Sequence, residues 1–190
     1  MNGIKLLNVS KRFDEKEIFN GFSHTFEYGS KTCLMGASGS GKTTLLNILL
    51  GIISADSGEI SGIPENISAV FQEDRLSESF SATANIIAIT GNTVPEAEIL
   101  KCLSNLGLEG NEKVPVSTLS GGMKRRVAIA RALLAKSELI IFDEPFKGLD
   151  EDIKQKTIKT ILEYTKGKTL IIATHDINDS KLLSANVLNI

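Results

Sequence analysis

Gly36-Ala37-Ser38-Gly39-Ser40-Gly41-Lys42-Thr43 decides the fold of this chain. The stretch fits the pattern G-x-x-x-x-G-K-[ST], and its flanks fit too, because Thr32-Cys33-Leu34-Met35 reads as a strand and 43–50 as a helix. Glycines in such a turn let the backbone curl until successive N–H groups face one point. The helix start adds unsatisfied amides and the positive end of its dipole. Lys42 supplies a point charge for β- and γ-phosphates, and the Thr43 hydroxyl is placed for Mg²⁺. A plain flexible turn would explain the glycines but not both flanks. Such a loop binds an anhydride without naming the chemistry done to it.

Outward from the loop, short β-rich runs alternate with helical patterns. Lys31–Met35, 68–71, 139–142 and 169–174 read as strands. Leu139-Ile140-Ile141-Phe142 and Leu170-Ile171-Ile172-Ala173 are apolar without alternation, as expected of strands buried on both faces of a parallel sheet. Helical spacing of apolar residues recurs over 42–50, 95–106, 120–135 and 152–164. This alternation predicts an α/β fold with ligands at the carboxyl ends of the strands. The stretch from about 72 to 135 lacks strand signals and reads as a helical lobe inserted between two sheet-forming portions.

The 190 residues suit one domain, and 42% hydrophobic with 23% charged residues allows a core and a solvated surface. A net charge of −2 gives no electrostatic reason to expect nucleic acid as a partner. Two cysteines, Cys33 and Cys102, suggest a reducing compartment, with Cys33 acting as a small buried hydrophobe. Met1-Asn2-Gly3-Ile4-Lys5 shows no apolar signal region, and no segment approaches the ~20 apolar residues of a membrane span.

The strand Leu139-Ile140-Ile141-Phe142 ends in Asp143-Glu144-Pro145. Asp143 at the strand tip is suited to holding Mg²⁺, and Glu144, released into the following loop, to polarising an attacking water. Pro145 stops the strand from continuing as a paired central strand. A second glycine-marked anion site lies at Leu119-Ser120-Gly121-Gly122, with Ser120 standing 23 residues before Asp143. Ser120 is a good N-cap, and Gly121 and Gly122 leave the amides open. Lys124, Arg125 and Arg126 follow, a placement the helix dipole disfavours unless an anion lies nearby; a solvated face is the plainer reading of each. The chain has no second Lys-Thr loop, so a nucleotide at this helix would have to come from another protomer.

With 36–43, Gln72, 119–123, 139–144, Gly148-Leu149-Asp150 and His175 in this order, the chain resembles the ATP-binding cassette ATPase of an ABC transporter over nearly its whole length. The resemblance implies a P-loop NTPase of the ABC type, with a mostly parallel sheet core, a small trimmed antiparallel β lobe and an inserted helical lobe. It implies one domain over 1–190, with its core at about 1–71 and 136–190 and its helical lobe at about 72–135. Gly36, Ala37, Ser38, Gly39, Ser40, Gly41, Lys42, Thr43 and Thr44 would be the Walker A loop. Gln72 would reach the metal and the attacking water, sharing the metal with Thr43 and Asp143. Ser120, Gly121 and Gly122 would meet the γ-phosphate held by the opposite protomer. Glu144 would be the catalytic base, His175 the switch histidine, Asp150 the aspartate that communicates across the dimer, and Phe13 the aromatic on adenine. ATP and Mg²⁺ are the implied ligands. The implied partners are a second protomer, identical or not, and integral membrane permease subunits, placing the chain at the cytoplasmic face of a membrane as a peripheral subunit.

The departures from the family pattern are specific. Position 123 is Met where many relatives carry Gln, and only 30 residues separate Lys42 from Gln72. The sequence stops at Ile190, before the C-terminal helices common in relatives, so autonomous dimer stability and C-terminal regulation are not carried over by the resemblance. Leu76, Phe80, Ile86, Ile87 and Ile89 are candidates for docking a permease, against the plainer reading of lobe core. Gln72-Glu73-Asp74-Arg75-Leu76 resembles the nitrate/sulfonate/taurine importer branch. Two rival readings stand beside the transporter: an ABC ATPase acting on nucleic acid or ribosomes, and a non-hydrolysing regulatory subunit. Long coiled-coil insertions or a second cassette would favour the first, and loss of Glu144 or His175 the second; the chain shows none of these.

Overall fold

In the computed structural model, which describes residues 2–190, the chain opens on an antiparallel pair, β1 (Gly3–Phe13) and β2 (Lys16–Glu27). Then come β3 (Lys31–Met35), α1 (Lys42–Leu49), β4 (Ser57–Ser61) and β5 (Ile67–Val70). The middle holds α2 (Ala82–Thr90), α3 (Glu96–Asn105), a single 3₁₀ turn at Val116–Thr118, and α4 (Gly121–Leu134). The chain closes with β6 (Leu139–Asp143), α5 (Glu151–Tyr164), β7 (Thr169–Ala173), α6 (Ile177–Leu183) and β8 (Asn186–Asn189). Two sheets share the strands: an antiparallel one in the order β2-β1-β4 and a parallel one in the order β5-β6-β7-β3-β8.

The strands read from apolar runs occupy the middle of the parallel sheet for a physical reason. Along β6, Ile140 and Phe142 enter a core shared with the helices, while Leu139 and Ile141 face a second core shared with α1 and the antiparallel sheet. Both faces of the strand are therefore dry, and alternation disappears from its sequence. The first hairpin carries a weaker signal because bulges interrupt it. Asn8 adopts φ +51°, and the register of β1 against β2 slips between Leu6 and Val9 and again near Lys11. Gly58 in β4 lies so close to this bulge that a Cβ would stand 2.5 Å from the Asn8 carbonyl oxygen.

Cys33 and Cys102 are both buried, and desolvation pushes each thiol up to about 12. Among the described residues, no helix is long and apolar enough to cross a membrane. Of the apolar residues expected to dock a partner, Ile86 is wholly buried in α2 and is core. Leu76 and Ile87 are half-buried against the same core, leaving Phe80 and Ile89 as the exposed pair.

Candidate active site

The carboxyl ends of β3, β6 and β7 lie side by side, with β5 next to β6, and the candidate residues follow those ends. After β3 the chain turns through the glycine loop into α1. Gly41 caps that helix at φ +110°, and a Cβ there would fall 2.7 Å from Ile18 and 2.9 Å from Phe19. No side chain caps α1, so its first amides remain free for an anion. Lys42 folds back on the loop, its Nζ donating to the carbonyls of Gly36 at 2.8 Å and Ala37 at 2.9 Å. Ser40 Oγ is buried without a hydrogen-bond partner.

Thr43 Oγ1 donates to Asp143 Oδ2 at 2.8 Å, joining the start of α1 to the tip of β6. Asp143 is 5% exposed, and burial raises its pKa from the ordinary aspartate value. The hydrogen bond from Thr43 opposes that rise and the neighbouring Glu144 charge adds to it. A buried carboxylate touching a hydroxyl is the donor set a hard divalent cation prefers, so the residues present fit Mg²⁺. Glu144 takes φ +51°, and its N–H donates to the Ala173 carbonyl at 2.9 Å. This twist, followed by a buried Pro145, turns Glu144 off the strand line. Its Oε2 then lies 2.9 Å from His175 Nδ1.

These groups line one cleft of about 540 Å³ together with Phe13, Gln72, Ser38, Gly39 and Thr44. Ala37 and Ser40 belong to the loop without lining the cleft. Three residues with no motif to mark them also line it: Lys16 and Ile18 from β2, and Lys147 after Pro145. Lys16 Nζ would stand 3.7 Å from a Cβ on Gly39, placing a second cation at the loop.

The other glycine site lies elsewhere on the molecule. Ser120 caps α4, its Oγ accepting from the Met123 N–H at 3.3 Å, and a Cβ on Gly121 would meet nothing within 4 Å. Gly122 packs against the Gly148 carbonyl and Leu149, each 3.4 Å from where its Cβ would be. Asp150 caps α5, its Oδ1 accepting from the Ile153 N–H at 2.9 Å. Ser120, Gly121, Gly122 and Asp150 are absent from the cleft lining. A solvated face does not describe Arg125 and Arg126, which are 7% and 8% exposed. Their guanidiniums satisfy carbonyls of neighbouring loops, Arg126 reaching Leu106 at 2.7 Å and Gly107 at 2.8 Å. Lys124 stays at the surface, 2.9 Å from Glu78.

In sequence and fold the chain is similar to known proteins. The sequence model of a family described as ABC transporter matches residues 19–147. The chain is 35% identical over 187 residues to the aliphatic sulfonates import ATP-binding protein SsuB 1 of Pseudomonas syringae pv. tomato, covering 97% of this chain and 69% of that protein. It is 36% identical over 181 residues to the thiamine import ATP-binding protein ThiQ of a Jannaschia species, covering 86% of this chain and 79% of that one. Its fold superposes on the dimeric bacterial ABC transporter cassette MJ0796 with TM-score 0.85 at 28% identity, covering 98% of this chain and 94% of the other. A post-hydrolysis dimer of the same cassette, bound to ADP and Pi, gives TM-score 0.83 at 27% identity over the same shares.

Proposed function

The chain belongs to the ABC transporter family, and from that premise we propose how its residues carry out the ATPase reaction. The observation that carries the proposal is the division of the site. One cleft gathers most of the glycine loop with Asp143, Glu144, Gln72 and His175, while Ser120, Gly121 and Gly122 at the open start of α4 lie outside its lining.

ATP enters with its adenine against Phe13 and its phosphates over the amides of the loop and the start of α1. Lys42 leaves the Gly36 and Ala37 carbonyls for the β- and γ-phosphate oxygens. Mg²⁺ held by Thr43, Asp143 and Gln72 would supply compensation for phosphate charge. Glu144 accepts a proton from the attacking water, whose oxygen bonds to the γ-phosphorus as the bond to the β–γ bridging oxygen breaks. ADP and phosphate result. His175 holds Glu144 through the 2.9 Å contact, and Gln72 orients the water. Charge and geometry set in advance do most of the chemistry in such a site.

The Ser120 helix completes the cleft of a second protomer, its Ser120, Gly121 and Gly122 meeting that protomer's γ-phosphate, and Asp150 sits on the loop between the two sites. The dimeric cassette MJ0796 supports this arrangement. The core at 1–71 and 136–190 and the lobe at 72–135 are the units that move against each other. The import names of two relatives support a peripheral subunit powering uptake through a membrane permease from the cytoplasmic side. The permease docks near exposed Phe80 and Ile89.

Glu144→Gln tests the chemistry. ATP affinity should stay within about twofold while turnover falls roughly 10²–10⁴-fold, the range general-base loss commands. Hydrolysis at the wild-type rate would remove Glu144 from the role of base.

A further inference from the structure

Arg125 lies in the second turn of α4 and is buried, yet its side-chain hydrogen bonds and ion pair go to a distant loop and not to the glycine site that heads the helix. Its two terminal nitrogens donate to the carbonyls of Phe71 and Gln72, and its Nε lies 3.1 Å from Asp74 Oδ1. One planar fork thus holds three groups of the loop after β5, at Phe71, Gln72 and Asp74. A second arginine of the same helix reinforces the grip, Arg131 donating to the carbonyls of Arg75 at 2.7 Å and Asp74 at 3.1 Å. Arg75, at φ +48°, stacks its guanidinium 3.7 Å from the centre of the Phe71 ring. The loop that carries Gln72 therefore has its backbone fixed to α4, while the Gln72 side chain is exposed toward the cleft.

We propose that Arg125 is a positioning residue that ties Gln72 in one protomer's cleft to the state of the Ser120 helix, whose N-terminus meets the partner's nucleotide. The inference rests on the roles given above to Gln72 and Ser120. Five residues separate Ser120 from Arg125, about 8 Å along a rigid helix. A shift of the helix start when an anion seats there carries Arg125, and with it the Phe71–Gln72 peptide, as one body. Occupancy of the second site thereby sets the orientation of Gln72 at the first. Lysine could not replace this arginine, because a point charge cannot hold two carbonyls and a carboxylate in a fixed plane.

The test is a double-mutant cycle on the full-length purified chain, with Arg125→Gln, Gln72→Ala and both together. Arg125→Gln should lower kcat roughly tenfold with the ATP KM within about twofold, and the double variant should be no slower than the slower single. Losses that multiply, or an Arg125→Gln enzyme with wild-type kcat, would overturn the proposal. Limited trypsin proteolysis supplies an arm independent of Gln72 chemistry. Cleavage after Arg75 should quicken about tenfold or more in Arg125→Gln while the parallel sheet stays resistant. An unchanged cleavage rate there would refute the clamp. Wild-type kcat in Gln72→Ala together with faster cleavage in Arg125→Gln would instead overturn the role given to Gln72 and leave the clamp standing. Where Arg125→Gln does not fold, Asp74→Asn removes the orienting carboxylate and keeps the two carbonyl bonds; it should show the same pattern in both arms at smaller amplitude.

Discussion

Asp143 is a carboxylate 5% exposed at the tip of β6, with the Thr43 hydroxyl as a donor. Burial raises its pKa, so the folded state holds this proton more tightly than the unfolded chain. The nucleotide-free protein should therefore lose stability as pH rises from the ordinary aspartate range through the raised value, since the fold binds more protons than the unfolded chain across that window. Asp143→Asn should raise the Tm of the nucleotide-free protein by a few degrees near neutral pH and abolish the extra stabilisation from Mg²⁺ with ATP. Calorimetric scans of both proteins with and without Mg-ATP check this; a lower Tm for the nucleotide-free variant would contradict it. The motif around Asp143 was legible from sequence because an apolar strand ending in two acids after a phosphate loop has few other meanings. Arg125 and Arg126 were not. A cation in the second turn of a helix looks solvent-facing until the loops that approach it are known, and those loops are distant in sequence.

At the scale of elements, α5 is joined to α6 and the end of β7 by a buried cation. Lys154 Nζ lies 2.7 Å from Asp176 Oδ2 and 2.5 Å from Asp179 Oδ1, and Asp179 is 1% exposed. Thr174 Oγ1 donates to the other oxygen of Asp179, so this network brackets His175 on both sides. Desolvation lowers the Lys154 pKa, but hydrogen bonds to Asp176 and Asp179 outweigh it and leave the pKa raised. Its stabilisation is complete below the usual lysine pKa and is lost as pH climbs through the raised value. The Asp176 carboxylate, held down by its hydrogen bond from Lys154, loses its share as pH falls through its lowered pKa. Lys154→Met should destabilise by about 3–5 kcal/mol, because a buried partner is left unpaired. Thermal melts from mildly acid to strongly alkaline pH should show this loss near neutrality and a flattened alkaline limb. A Tm within a degree of wild type at pH 7 would contradict it. No sequence pattern marks this network, since Lys154 takes an ordinary place in an amphipathic helix. The central parallel strands β6 and β7 were readable because both faces are dry; the exposed edge strand β8 was not, and neither were β1 and β2, where the bulge at Asn8 breaks the period of two.

Across the whole molecule, the proposed site is divided between two parts of one chain. Most of the glycine loop lines one cleft with Asp143, Glu144 and His175, and Ser120, Gly121 and Gly122 stand outside that lining. Ser120→Arg should leave ATP binding by the single chain within about twofold, as expected for a residue remote from that cleft. Sequence reading reached this division from two glycine sites and one carboxylate pair. It could not reach the wiring between them, which depends on loops meeting across the fold. The most direct measurement of the divided site is sedimentation velocity of Glu144→Gln with saturating Mg-ATP. The chain should sediment as a monomer without nucleotide and as a dimer with it, and adding Ser120→Arg should return it to a nucleotide-bound monomer. A dimer that survives Ser120→Arg, or a chain that stays monomeric with ATP bound in Glu144→Gln itself, would contradict an active site shared between two protomers.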